Sequence, residues 1–336
     1  MTVHASPDIP GGPYTPNDDP VKYNYNTGNA TIRACRHRVR YDKSKNPTQS
    51  AEEMAASESL RQFPGEILIG GFEVLEYDTE KYPLREVVTR ALVDLLDEER
   101  RGAEPDAFEL GHFLVPPDTD GDDGCAFLPP LESMRVNPAA LTGRGGKKAS
   151  QRLVSDLIPN RPEILALLDD FVKQVVLPHL KCRLLSLDAG LAEDLAQRRG
   201  ADGGDEHTLA FHYQRPPTLR LQPGPSTRHV RTHADSEYGH QPGELNFWMP
   251  LTSLEETRTT LWAESAAGRG DFAPFEVTYG QVAVFHGSSC RHYVPLNPTE
   301  HTRVSLDFRV GVEGYFNDRW SVNGTTADHT RRKIYV

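Results

Sequence analysis

The clearest pattern in the chain is the run Arg303-Val304-Ser305-Leu306-Asp307-Phe308-Arg309-Val310, polar at every odd position and apolar at every even one. A period of two predicts a strand with one face in a core and the other lining a polar pocket. Short segments of similar texture, bounded by Pro and Gly, predict strands over 207–213, 218–222, 229–235, 244–251, 257–264, 277–286 and 302–312. Seven short strands in about a hundred residues suggest a barrel or sandwich.

The amino-terminal half has a different period. Val87, Val88, Ala91, Leu92, Leu95 and Leu96 recur at spacings of three and four, predicting a helix with Pro83 in its first turn and its end near Arg101. A longer helix is predicted from Pro162 to about Leu180, where Ile164, Leu167, Leu168, Phe171, Val172, Val175 and Val176 make a broad apolar face able to cover a sheet. The stretch 50–62 has helical composition, and 66–77 reads as a strand interrupted by Gly70-Gly71. The expected fold class is therefore mainly β with flanking helices. Residues 1–48 lack either period and are expected to form an extended arm. One catalytic domain follows over 49–336: a mixed part at 49–205, a barrel core at 206–315 and a tail at 316–336.

Composition narrows the function. With 37% hydrophobic residues, 26 prolines and 27 glycines, no segment is long and apolar enough to suggest a membrane span, so no membrane partner is expected. A formal net charge of −11 disfavours a dedicated nucleic-acid binder. The short basic clusters, Arg144 with Lys147-Lys148 and Arg331-Arg332-Lys333, read as solvated surface. Cys35, Cys125, Cys182 and Cys290 are too scattered for a zinc finger or a disulfide framework, and nothing near Met1 resembles a secretory signal, so a cytoplasmic setting is expected.

Two loops imitate ion sites. Asp118, Asp120 and Asp122 alternate as in a calcium loop, but Asp123 and Pro129 stand where that motif needs Gly and Glu. The stretch 143–148 lacks the first glycine and the Ser/Thr of a phosphate loop. Arg269-Gly270-Asp271 reads as a turn, and Asn323-Gly324-Thr325 has no meaning without a secretory route.

The chemistry converges on His233-Ala234-Asp235. Two positions apart on a strand, the imidazole and the carboxylate would project from one face. A firm divalent-metal site needs a third ligand from a later strand, and His292 is placed for it, with His286 as the rival. Two His and one carboxylate leave open positions for a bidentate cosubstrate and for oxygen. Arg303, eleven residues beyond His292, could grip the distal carboxylate of a dicarboxylic acid with its planar fork, helped by Ser305 on the same face. Asn246 and Trp248 share a strand face opposite Leu245, Phe247 and Met249; Asn246 is assigned to the cofactor and Trp248 to the substrate. Arg220, Arg309 and His240 are further candidate substrate contacts, while His212 and His301 are assigned no metal role.

His233-x-Asp235, the run Gly280 to Gly287 leading to His292, and Arg303-x-Ser305 resemble the iron(II)/2-oxoglutarate dioxygenases of the phytanoyl-CoA hydroxylase-like group. Within it, Tyr238-Gly239-His240-Gln241, the run Glu244 to Thr252, and Arg303 to Val310 look most like the streptomycin-biosynthesis hydroxylase-like branch. The resemblance covers about 218–310, and no family motif aligns with the first 200 residues. It implies a double-stranded β-helix, a jelly-roll or cupin-like barrel with helices on one outer face. It further implies Fe(II) on His233, Asp235 and His292, 2-oxoglutarate as cosubstrate, O2, and oxidation of an unactivated C–H bond in secondary metabolism. A small polar metabolite is the implied substrate, and the fungal oxygenase that closes an aziridine ring on valine is an implied relative. Hydroxylation, desaturation and ring closure stay open, as does the oligomeric state. Two other functions fit a barrel with these ligands: a metal-binding or ligand-binding module without turnover, and a zinc hydrolase, which leaves Arg303-x-Ser305 unexplained.

Overall fold

The computed structural model describes residues 60–68, 71–94, 109–113, 157–202, 208–224, 230–238, 240–318 and 330–336. The expected arm at 1–48, the stretches 50–59 and 95–101, the acidic loop at 116–124 and the stretch 143–148 lie outside these residues.

The strands are β1 (Phe72–Glu76), β2 (Ala210–Gln214), β3 (Thr218–Gln222), β4 (Val230–His233), β5 (Glu244–Pro250), β6 (Trp262–Ala263), β7 (Ala273–Pro274), β8 (Gln281–Phe285), β9 (His292–Val294), β10 (Arg303–Val312) and β11 (Arg331–Tyr335). From β3 onward their pairing is nested: β3 with β10, β4 with β9, β5 with β8 and β6 with β7, every pair antiparallel. The pairs alternate between two sheets, one containing β3, β10, β5 and β8, the other ordered β4-β9-β6-β7. A long hairpin folded back on itself in this way is a jelly roll, the double-stranded β-helix expected from the sequence. Strands β1, β2 and β11 extend the first sheet to seven.

The alternation in β10 is used on both faces. Val304, Leu306, Phe308, Val310 and Val312 enter a large core with Leu245, Phe247 and Met249 of β5 and with the helices. Arg303, Ser305 and Arg309 are also buried, on the face toward the barrel interior. Between the sheets, Trp248, Leu261, Phe275, Ala283, Phe285 and Val294 form a second cluster drawn from both of them. Each fully buried Leu, Val or Phe contributes roughly 1.5–3 kcal/mol of transfer free energy, so the two apolar layers fix the register of the polar face between them.

Helices cover the outer face of the larger sheet. Helix α1 (Leu84–Val93) buries Leu84, Val88, Ala91 and Leu92. The long predicted helix is instead α2 (Pro162–Phe171), a π turn at Val172–Val176, and α3 (Leu177–Leu187). Pro178 is the physical reason: without an N–H it cannot donate to the carbonyl four residues back, and the wider turn absorbs the defect. Helix α4 (Ala189–Asp202) follows, with Asp188 accepting the Leu191 amide at its start. Of the strand expected over 257–264 only β6 forms: Thr257 ends the short helix α5 (Leu254–Thr257), capped by Ser253, and 258–261 lie in neither helix nor strand. The segment read as a tail contributes β11, and Arg331, expected in solvent, turns inward to Glu244 at 3.1 Å. Among the described residues no helix is long and apolar enough to cross a membrane.

Candidate metal centre

His233 and His292 lie directly opposite each other in the β4–β9 pair. The expected strand does not reach Asp235. It ends at His233, and Asp235 opens a 3-10 turn, Asp235–Tyr238, with its amide donating to the Gly287 carbonyl at 2.8 Å. The carboxylate therefore meets the imidazoles through a strand-to-turn transition rather than through strand alternation. Donor atoms of His233, Asp235 and His292 lie within 4.8 Å of one another and could hold a metal ion.

Each donor is aimed. His292 Nδ1 lies 3.1 Å from the Cys290 carbonyl, which can only accept, so Nδ1 carries a proton and Nε2 is the ring nitrogen left to face a metal. That Nε2 and His233 Nε2 lie 3.5 and 3.6 Å from the same oxygen, Asp235 Oδ1. The other oxygen, Oδ2, accepts from Asn246 Nδ2 at 2.6 Å and from Arg309 Nε at 2.9 Å, with a terminal Arg309 nitrogen in ion-pair contact at 2.8 Å. Burial alone would raise this carboxyl, but the Arg309 charge and the neighbouring imidazoles hold it well below the usual carboxylate range. His286, the rival ligand, is turned away, its Nε2 2.7 Å from the Pro242 carbonyl.

Asn246 and Arg309 were expected at the cofactor and the substrate; in the structure both hydrogen-bond to Asp235. In the sheet they are Cα partners, and Asn246 also accepts the Gly287 amide at 3.2 Å. Arg309 reaches further to Gln214 Oε1 at 3.0 Å. The sequence signal for this role was available in the shared polar face of β5 and β10, but the pairing register was needed to read it.

Arg303 is buried at the start of β10. Its Nε donates to Gln222 Oε1 at 2.9 Å and a terminal nitrogen donates to Ser305 Oγ at 3.2 Å. No carboxylate among the described residues forms an ion pair with it. Burial, followed by repulsion from Arg220, lowers its pKa to about 10. Gln222 was not among the expected site residues. Its side chain marks the polar face of β3 as β3 pairs with β10. Trp248 does not open onto solvent; it packs between the sheets with the Arg303 guanidinium 5.9 Å from its ring. Arg220 is half-exposed and paired with Asp307 at 2.6 Å.

Beside the ligand-bearing loops lies a cavity of about 980 Å³, lined in part by Ser236, His240, His286, Cys290, Phe63 and Tyr315. His240 is buried there, its Nδ1 3.0 Å from Glu244 Oε2. The remaining spare histidines are elsewhere: His212 tilts against Phe316, and His301 stacks on His112. Cys182 and Cys290 are unpaired.

This geometry can be set beside known proteins. The streptomycin biosynthesis protein StrG of Streptomyces griseus is 38% identical over 122 residues, 36% of this chain and 57% of that protein. The match thus spans just over half of the relative's length. No family model matches. Among solved structures, the non-heme alpha ketoglutarate dependent carbocyclase SnoK from nogalamycin biosynthesis is 13% identical with a TM-score of 0.37, covering 85% of this chain and 97% of that one. EctD from S. alaskensis with bound Fe is 16% identical with a TM-score of 0.34, covering 78% and 76%. AviO1 from Streptomyces viridochromogenes Tue57 is 15% identical with a TM-score of 0.32, covering 79% and 96%. At these scores the fold assignment rests on the nested strand pairing, not on the likeness.

Proposed function

We propose that this protein is an iron(II)- and 2-oxoglutarate-dependent oxygenase that oxidises an unactivated C–H bond of a small polar metabolite in secondary metabolism. The observation that carries the reading is the presence of two features in one barrel, one on each sheet. Three aimed metal donors, His233, Asp235 and His292, share the barrel with a buried guanidinium, Arg303, that has no carboxylate partner among the described residues. A buried cation without an anion is costly, and a bound dicarboxylate relieves that cost. A zinc hydrolase would need the three ligands but would give Arg303 no anion to bind.

In this reading His233, Asp235 and His292 hold iron(II), and Arg303 with Ser305 and Gln222 binds the distal carboxylate of 2-oxoglutarate. Bound there, iron with 2-oxoglutarate and O2 supplies the oxidising power for C–H cleavage, with succinate and carbon dioxide as the cosubstrate's products. The chain's own contribution is placement and exclusion of water. The Cys290 carbonyl fixes the His292 tautomer, and Trp248 and Phe285 exclude solvent beside the ligands. The cavity beside the ligand loops has a volume usual for a small-molecule site and is where the substrate is expected. A free amino acid such as valine is the finer reading, which follows from the resemblance to the streptomycin-biosynthesis branch and the valine oxygenase.

The test is succinate release by purified protein with iron(II), 2-oxoglutarate and a panel of free amino acids and polar metabolites, with His292→Ala as control. Substrate-stimulated succinate lost in the control supports the reading. Zinc-dependent hydrolysis, or metal binding with no turnover on any compound, would replace it with one of the two other functions.

A further inference from the structure

We infer that Arg309 and Asn246 are positioning residues that restrict Asp235 to a single metal-facing oxygen, an inference that rests on the three-ligand metal reading. A carboxylate can offer a metal one oxygen or two. Here Oδ2 takes two N–H donors, from Asn246 at 2.6 Å and from Arg309 Nε at 2.9 Å, which fills the lone-pair sites of one carboxylate oxygen, and a terminal Arg309 nitrogen sits in ion-pair contact at 2.8 Å. Oδ1 is the oxygen turned toward both imidazole Nε2 atoms. A carboxylate held this way would offer a metal one oxygen and leave the rest of its coordination to a chelating cosubstrate and oxygen, whereas a freely rotating one could offer both oxygens.

The restraint is built into the fold at three points. Asn246 and Arg309 are Cα partners in the β5–β10 pair, so their side chains rise together from one face. Asn246 closes a ring: the Asp235 amide donates to the Gly287 carbonyl, the Gly287 amide donates to Asn246 Oδ1, and Asn246 Nδ2 returns to Asp235 Oδ2. Arg309 is held from behind by Gln214, whose own amide donates to Thr218 Oγ1 at 3.0 Å. Neither residue needs to touch cosubstrate or substrate to act.

The test uses Arg309→Lys, which keeps the charge and loses the planar fork, and Asn246→Leu, which is neutral and loses the amide donor. Mn(II) alone is titrated into the full-length apo-protein, followed by 2-oxoglutarate at saturating Mn(II), with the apo melting temperature recorded for each. The expected result is a ten- to hundredfold weaker Mn(II) affinity in both variants, the range usual for groups that orient metal ligands. The 2-oxoglutarate affinity at saturating metal should stay near wild type, and the loss of Mn(II) affinity should not track the loss of apo melting temperature between the two variants. Wild-type Mn(II) affinity with weakened 2-oxoglutarate binding would overturn the inference and return both residues to the cosubstrate. Weakened Mn(II) binding only in step with a lowered melting temperature would overturn it in favour of a general structural role. Arg309→Lys decides the matter alone if Asn246→Leu does not fold. A wild type that binds no Mn(II) sinks the metal reading itself, a failure distinct from unaffected variants of a metal-binding wild type.

Discussion

Arg303 and Gln222 are Cα partners in the β3–β10 pair, and the guanidinium Nε donates to the amide oxygen across them at 2.9 Å. The amide orients the fork without neutralising it. Because burial lowers the Arg303 pKa to about 10, its charged form costs on the order of 3 kcal/mol in the folded protein. Both folded and unfolded states are protonated below pH 10, so the cost applies throughout the neutral range and is relieved only as pH rises through about 10.

That cost gives the first prediction. Arg303→Met apo-protein should melt no lower than wild type. Metal-loaded wild type should gain stability from 2-oxoglutarate, about 2.7 kcal/mol at a hundredfold excess over Kd, and the variant should lose that gain. Thermal melts with and without 2-oxoglutarate check both statements.

A second prediction concerns Glu244, buried between Arg331 of β11 and His240. Burial would raise its pKa, but the Arg331 charge and the His240 hydrogen bond hold it down at about 2. A carboxyl with a depressed folded pKa contributes stability above the unfolded value near 4.5, lost as pH falls toward 2; the amount is on the order of 3 kcal/mol. Glu244→Gln should flatten the stability profile between pH 4.5 and 2. Arg331→Met should destabilise at neutral pH by about 3–5 kcal/mol, because it strands a buried charge. Urea unfolding across that pH range separates the two.

Gly287 supplies a third. A Cβ there would sit 2.6–2.8 Å from the Asn246 side-chain amide. Gly287→Ala should push Asn246 off Asp235 and weaken Mn(II) affinity in the same direction as Asn246→Leu, without touching a metal ligand. Calorimetric titration with Mn(II) reads this directly, and wild-type affinity would mean that Asn246 tolerates the shift.

Much of this site is legible in the sequence because strand alternation is a local signal. The odd positions of β10 mark the polar face, and His233, Asp235 and His292 stand out as ligand types. What escapes is whatever depends on pairing. β7 and β9, two and three residues long, carry too few positions to show a period. β11 is recognised only once it pairs with β2, because its run of Arg331, Arg332 and Lys333 reads as surface until Glu244 and Asp169 are seen to receive two of the charges. The Asp235 contact of Arg309 was hidden for a similar reason: an arginine on a polar face fits a substrate carboxylate as well as a protein one until the fold places Asp235 beside it. The turn at Asp235 was hidden because His-x-Asp spacing suits a continuing strand equally well.

Three ligands and one buried arginine serving a single metal-bound cosubstrate is the arrangement on which the proposed function stands or falls. Its most direct test is anaerobic addition of iron(II) and then 2-oxoglutarate, followed by visible spectroscopy on wild type and Arg303→Ala. The account predicts a weak metal-to-ligand charge-transfer band in wild type, reached in the variant only at much higher 2-oxoglutarate. An iron-loaded wild type that shows no band at any 2-oxoglutarate concentration would contradict it.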